Sequence, residues 1–424
     1  MADDRIIVGL DIGTSVIRVA IGEVDDEGAL HIVATSARPS AGLRNGVIVN
    51  IEDAKDAIKA AIEEAETKGG VLVNSVIASI GGLQIESQNL RGVVPIRNNG
   101  KSGSSAAVTR EDIEKVIDIA TAINTPADRE KIHVIPQDYI VDGVDHISDP
   151  LNRLGFKLEA KVHIITASKS IIQNTKTCML RAGYGLDGVM LKTLAETQSV
   201  CHDDELELGS IVIDLGAGTT DVMVLINGAP ISTASVQVGG NLVTNDIAVV
   251  NAIPVAAAEK IKVEFGSCWP EGISKESDVD VILPGVGGRA PALTKKSEIA
   301  KIILARMTQI FTMVKQAIKK NTSDSINELA GNIILIGGGA KMEGVIKLAQ
   351  EMFRTSSVRI GIPESLGGVE EEYRTPEFAT AIGLVVANKG LVNLRDNRRK
   401  SRKPAASGDE KKESLFQRFR KLFF

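Results

Sequence analysis

The sequence predicts an α/β protein of two lobes built to one design, with a small α+β unit inserted in the first lobe. Three observations carry this reading. Residues 211–224, IVIDLGAGTTDVMV, form a buried strand, a turn of small residues and a returning strand. The pattern recurs near the start, where residues 7–15, IVGLDIGTS, run into the apolar stretch 16–21; aligning Asp11 with Asp214 places Gly13 on Gly216. Between the two copies, residues 84–161 break the pattern, and the 424-residue chain exceeds one ordinary core, since domains run to roughly 100–200 residues.

The turns indicate what the duplication does. Gly216 and Gly218 have no Cβ, so successive backbone N–H groups there can approach an anion closely and point at it. Asp11 and Asp214 end their strands, where a carboxylate reaches a metal ion. One glycine-rich turn is usually only a turn. Two copies in one chain point to a fold that clamps a phosphate chain from both sides.

After the first hairpin, residues 31–38 read as a third strand and 52–68 as an amphipathic helix, with Ala54, Ile58, Ala61, Ile62 and Ala65 at helical spacing and Gly69-Gly70 to stop it. Residues 76–81 give a short buried strand. The insertion holds the apolar run 92–96, a polar loop at 98–105, a helix at 109–123 capped by Thr109 with Asp112, and a strand at 133–141. An apolar strand at 161–167 and a helix at 170–182, ended by Gly183, follow; residues 189–200 return to the strand-and-helix pattern. Beyond the second hairpin come a strand at 229–238, a turn at 239–241, helices at 242–252 and 256–265, a strand at 279–283 and a long helix at 297–320. The strand 332–336 breaks at three glycines before a helix, a junction that would turn helix N-terminal amides toward a ligand. A last strand at 359–361 and a helix at 377–387 lead back to the first lobe.

Composition narrows the function. The three cysteines, Cys178, Cys201 and Cys268, have no CxxC or Cys/His spacing, which argues against a disulfide framework and a zinc site and fits a reducing cytoplasm. No run reaches the roughly 18 apolar residues of a membrane span, and the acidic start does not read as a signal peptide. Net charge is −5, yet residues 398–424 hold ten Lys and Arg against three Asp and Glu, a local +7 that leaves the body at −12. An acidic body argues against nucleic acid as a partner. Residues 396–413, charged or small throughout, read as a disordered linker. In 414–424, Leu415, Phe416, Phe419, Leu422 and Phe423 share a helical face flanked by Arg418 and Lys421. This reads as an amphipathic membrane-targeting helix for an anionic surface, the alternative being a terminal helix packed on the body.

Asp-Ile-Gly-Thr at 11–14, Asp-Leu-Gly-Ala-Gly-Thr-Thr-Asp at 214–221, Glu-Lys-Ile-Lys at 259–262 and Gly-Gly-Gly-Ala-Lys-Met-Glu-Gly at 337–344 resemble, in this order, the phosphate motifs, adenosine-side helix and adenosine loop of the actin and heat-shock-chaperone ATPase superfamily. Within it, IESQNLRGVVPI, VIPQDYIVDG, AKVHIITAS, GVGGRAPAL and the basic tail resemble the FtsA family of bacterial cell-division proteins over the whole chain. The resemblance implies a two-lobed actin-like ATPase fold of duplicated ribonuclease-H-like lobes. The first-lobe core would occupy 1–83 and 162–195, the inserted subdomain 84–161, the second-lobe core 196–228 and 297–358, its smaller subdomain 229–296, and the return to the first lobe 359–395.

The resemblance further implies ATP and Mg²⁺ as cofactors. Gly13, Thr14, Ser15, Gly216, Ala217, Gly218 and Thr219 would hold the phosphates, although Ala217 stands where the family more often has Gly. Gly239, Gly240 and Asn241 would face the sugar. Glu259 and Lys262, three apart on one helix, would contact ribose and adenine, the plain alternative being a surface ion pair. Gly337, Gly338, Gly339 and Met342 would form the opposite wall. Asp11 and Asp214 would hold Mg²⁺ through water, and Glu196 would either orient an attacking water or be structural. The implied partners are the C-terminal peptide of FtsZ at residues 229–296, further copies of the chain in protofilaments, later division proteins at the insertion and anionic inner-membrane lipids at the tail. The resemblance also implies a peripheral protein of the cytoplasmic face at the division site, with weak or no ATPase activity. The competing readings are a pilus-assembly-type partner-binding module and a small-molecule kinase of the same superfamily.

Overall fold

Strand β1 (Ile6–Ile12) is buried on both faces, which explains its apolar sequence up to Asp11. It pairs antiparallel with β2 (Val16–Val24), placing Asp11 opposite Arg18, and β3 (Leu30–Pro39) extends the sheet. After the short β4 (Leu43–Arg44) and β5 (Val47–Ile48), helix α1 (Ile51–Gly69) is capped by the Asn50 side chain, which accepts from the amides of Glu52 and Asp53, and closes at Gly70 in the left-handed region. Its Ala54, Ile58, Ala61, Ile62 and Ala65 stripe is buried on the sheet. Strand β6 (Ser75–Ile80) then runs parallel to β1. The computed structural model describes residues 5–96, 105–122, 125–285, 287–322 and 332–390; the expected linker and tail lie outside the described residues.

The insertion comprises β7 (Ile85–Pro95), β8 (Ala106–Ala107), α2 (Arg110–Thr121), β9 (Arg129–Val141), β10 (Val144–Ile147), β11 (Leu154–Gly155) and β12 (Lys157–Ser168). Thr109 and Asp112 form the expected capping box on α2. Ile113, Val116 and Ile117 of that helix pack with Leu158, Ala160 and Val162 against a four-stranded sheet ordered β10-β9-β12-β7. The boundary expected at 161 falls inside β12, whose pairing with β9 continues to Ser168. Leu158–Ala167 is almost wholly buried, so the strand read as part of the lobe.

Helix α3 (Lys169–Ala182) and β13 (Gly185–Leu191) complete the first sheet, ordered β13-β6-β1-β2-β3. The boundary expected between 195 and 196 lies within α4 (Lys192–Val200), which with α5 (Asp203–Leu208) leads to the second lobe. There β14 (Ser210–Leu215), β15 (Thr220–Ile226) and β16 (Ala229–Val236) precede α6 (Gly240–Val250), α7 (Val255–Phe265), the ribbon β17 (Asp280–Leu283) and β18 (Ala292–Lys295), and α8 (Lys296–Asn321). Then come β19 (Ile333–Ile336), α9 (Val345–Phe353), β20 (Val358–Ile360), α10 (Glu370–Tyr373) and α11 (Ala379–Ala387). The second sheet, β16-β15-β14-β19-β20, repeats the first: an antiparallel pair of hairpins followed by two parallel strands. Accordingly β16 belongs to this sheet and not to the smaller subdomain expected from 229, and β20 closes it where the return to the first lobe was expected from 359.

The lobes share a core and a polar seam. Leu194 and Ala195 of α4 and Ile382, Leu384 and Val385 of α11 share one core cluster with Ile7 and Ala20 of the first sheet and Val212, Met223 and Ile334 of the second. The inserted sheet also meets β16 through a seam of neutral groups: Asn89 Nδ2 donates to Ile231 O (2.8 Å), Gln137 Nε2 to Pro230 O (2.8 Å) and Ser87 Oγ to Thr233 O (3.2 Å). His163 Nε2 lies 3.0 Å from Thr233 Oγ1, and burial pushes its pKa down to about 4. Among the described residues no single helix is long and apolar enough to cross a membrane.

Candidate functional site

The turns of both hairpins open onto one cleft of about 450 Å³ between the lobes. Gly13, Thr14 and Ser15 line it from the first lobe, and Gly216, Ala217, Gly218 and Thr219 from the second. Gly239, Gly240, Asn241, Glu259, Lys262, Gly337, Gly338, Gly339 and Met342 complete the second-lobe wall. Thus five segments remote in sequence meet in one place.

Close backbone approach holds the wall together. The amides of Gly240 and Asn241 donate to the carbonyls of Gly216 and Ala217 (2.9 and 2.8 Å), seating α6 on the hairpin turn. A Cβ on Gly239 would meet those same carbonyls within 2.7 Å. Lys262 Nζ donates to Glu259 Oε2 (2.7 Å), to Thr244 Oγ1 (2.9 Å) and to Gly240 O (3.3 Å), so the pair ties α7 to α6 as well as facing the cleft. Gly337 has φ of 78°, and a Cβ there would stand 2.1 Å from Asp214 Oδ1. At Gly338 a Cβ would meet nothing within 4 Å. Substitution at Gly216, by contrast, would strike Thr219 O at 2.8 Å; this glycine serves the hairpin's own closure.

The glycine loop differs from expectation in one respect. A 3₁₀ turn over Gly338–Lys341 separates β19 from α9, and the N-cap of α9, Gly344, packs against Trp269. The turn lines the cleft and the first residues of α9 do not.

The carboxylates form a buried group whose cation the sequence reading missed. Asp11 accepts from Ser79 Oγ (2.9 Å), which itself accepts from the Ile12 amide (3.1 Å). Asp214 is ion-paired with Lys192 Nζ. Asp221 accepts from Thr219 Oγ1 (2.9 Å), and burial with the Asp214 charge pushes its carboxyl up against the opposing pull of Lys192. Burial alone would depress the Lys192 pKa; Asp214, Asp11, Glu196 and Asp221 together outweigh it and hold the ammonium charged. Among the described residues no three His, Cys, Asp or Glu side chains stand together as a direct metal set, and Asp214 is paired with an ammonium; the expected contact of Asp11 and Asp214 with Mg²⁺ is through water.

Glu196, the expected water-orienting carboxylate, is 1% exposed and does not line the cleft. Its Oε1 accepts from Thr380 Oγ1 (2.7 Å), and Thr380 does line it. Burial, then Asp214, push the Glu196 carboxyl well above the usual range. Glu196 thus bonds a residue of the cleft wall without lining the cleft itself. Glu377, also at the cleft, receives Lys341 at 3.1 Å and Arg18 at 3.8 Å, joining the two walls by charge.

Comparison with known proteins places this architecture. The family profile for the cell division protein FtsA matches residues 211–383, and that for the SHS2 domain inserted in FtsA matches 82–166. The cell division protein FtsA of Borreliella burgdorferi is 41% identical over 382 residues, 90% of each chain. That of Pseudomonas aeruginosa is 35% identical over 418 residues, 98% of this chain and 97% of its own. Among solved structures, the PilM-PilN type IV pilus biogenesis complex aligns with a TM-score of 0.62 at 16% identity, covering 90% of this chain and 97% of its own. MreB5 of Spiroplasma citri bound to ADP gives 0.56 at 15%, covering 93% and 99%. The MamK double helical filament gives 0.52 at 15%, covering 90% and 98%. With the two lobes of an actin-like fold, the SHS2 insertion and this identity across nine-tenths of its length, the chain belongs to the FtsA family of bacterial cell division proteins.

Proposed function

We propose that the cleft binds ATP and that the bound nucleotide sets the assembly state of a membrane-tethered cell-division filament. The observation that carries this is the convergence of the two phosphate turns, the Glu259–Lys262 helix and the Gly337–Gly339 loop on one cleft between the lobes. MreB5, of the same fold, is bound to ADP, and MamK forms a filament, which supports nucleotide as ligand and a second copy of the chain as partner. Hydrolysis is weak or absent in this reading, because the one candidate catalytic carboxylate, Glu196, does not reach the cleft.

In the same proposal the smaller part of the second lobe receives the FtsZ C-terminal peptide, the SHS2 insertion receives later division proteins, and residues 414–424 hold the chain on anionic lipid at the cytoplasmic face of the division site. Electron microscopy on an anionic lipid monolayer tests the whole: filaments should coat the lipid with ATP and be sparse without it. A chain that binds ATP yet never assembles on lipid overturns the filament reading, and one that titrates no ATP overturns the nucleotide reading.

A further inference from the structure

Lys192 is the first residue of α4, where a cation opposes the helix dipole. Its side chain is 18% exposed, and burying an ammonium is costly unless it is paired. A local rule broken twice at one residue marks a position retained for something other than fold. The backbone reinforces the placement. The amide of Leu191, the N-cap of α4, donates to His133 Nε2 at 2.9 Å, so the inserted subdomain fixes the residue next to Lys192. The ammonium then reaches across to Asp214 of the second lobe while still lining the cleft.

In the first hairpin Asp11 lies opposite Arg18 in register, and its carboxylate accepts from Ser79 Oγ. In the second hairpin Asp214 faces Asp221, and the cation comes from the other lobe. Phosphate oxygens entering between the two turns would meet the buried carboxylates Asp11, Asp214 and Asp221, with Lys192 as the ammonium among them; Arg18, Lys262 and Lys341 line the cleft elsewhere. An ammonium is a compact point charge suited to phosphate.

We propose that Lys192 is the resident cation of the carboxylate group at the hairpin turns: it neutralises Asp214 from across the lobes and contacts the polyphosphate, so that the nucleotide is held without a divalent ion at Asp214. The inference rests on the nucleotide reading above. Its test is isothermal titration of the full chain with ATP in Mg²⁺ and in EDTA, for the wild type, Lys192→Met and Lys192→Arg. Removing Mg²⁺ should weaken wild-type binding by less than about tenfold; in Lys192→Met the same removal should cost a further ~10- to 100-fold, the worth of a charged hydrogen bond. Lys192→Arg should behave as the wild type. Wild-type binding that vanishes in EDTA, or the same Mg²⁺ dependence in Lys192→Met as in the wild type, overturns the proposal. Should Lys192→Met fail to fold, the wild-type pair of titrations decides alone. Absence of ATP binding under both conditions would instead sink the nucleotide reading.

Discussion

Asp214 and Asp221 stand directly opposite each other across β14 and β15, two carboxylates on one face of a buried hairpin. Like charges so placed repel, and burial raises the cost. Lys192 pairs with Asp214, and Thr219 Oγ1 donates to Asp221, but the second carboxylate keeps a pKa above its ordinary value. Because the folded state binds that proton more tightly than the unfolded chain, stability from this group is present below the unfolded pKa and lost as pH rises through the folded one. Asp221→Asn, which keeps an acceptor for Thr219, should therefore stabilise the protein by about 0.5–1 kcal/mol at neutral pH and by almost nothing at pH 4. Thermal melts at the two pH values check it; an equal shift at both would contradict the assignment.

Gly338 offers a direct block of the cleft. Its backbone lies outside the left-handed region and a Cβ there meets no neighbour within 4 Å, so Gly338→Val should fold within about 0.5 kcal/mol of the wild type while losing ATP binding by titration. Gly216→Val should instead lower the melting temperature, since its Cβ strikes the hairpin's own carbonyl. Unchanged ATP affinity in Gly338→Val would remove the glycine loop from the site.

Arg359 and Glu205 give the second-lobe edge its acid sensitivity. Arg359 Nε donates to Glu205 Oε1 (2.6 Å), and Asn332 Nδ2 (2.7 Å) and the His202 amide (3.0 Å) donate to the same carboxylate. Burial opposes the charge, yet these donors hold the pKa down from 4.5 to about 2. The stability it contributes is full above 4.5 and is lost as pH falls toward 2. Arg359→Met should cost about 1.5–3 kcal/mol at pH 7, the worth of a charged hydrogen bond, since Asn332 and the His202 amide still donate to Glu205, and the difference from wild type should shrink between pH 4.5 and 2. Urea titrations across that range would expose a constant difference if the pair is unimportant.

The tail prediction follows from magnitudes. A short interfacial helix attaches about as weakly as a single lipid chain, marginally and reversibly, and assembly multiplies such attachment without any new contact. Phe419→Glu should abolish co-sedimentation with anionic liposomes while leaving ATP affinity unchanged. Wild-type pelleting should rise under assembling conditions. Pelleting of Phe419→Glu at the wild-type level would mean that the tail is not the anchor.

The hairpins were legible because strands buried on both faces leave unbroken apolar runs beside turns of small residues, and the cap at Thr109 because it uses neighbours in sequence. The insertion's edge was not legible: β12 has the same two-faced burial as a lobe strand, and only its pairing with β7 and β9 assigns it. Lys192 was missed for a related reason. In sequence it is a lysine at the start of a helix, and its partner is a strand end in the other lobe. Glu196 was found by position in a motif, but the direction of its carboxylate, toward Thr380, depends on how α11 packs.

The core cluster shared by α4 and α11 has a practical consequence for anyone dividing this molecule. Symmetry invites cutting it into halves, but the cut would pass through α4 and leave Ile7 and Ala20 on one piece and Val212, Met223, Ile334 and Ile382 on the other without their counterparts. Neither half is then a soluble fragment to be produced alone, and calorimetry of the intact chain should record a single unfolding endotherm for the lobes, however freely the cleft between them opens.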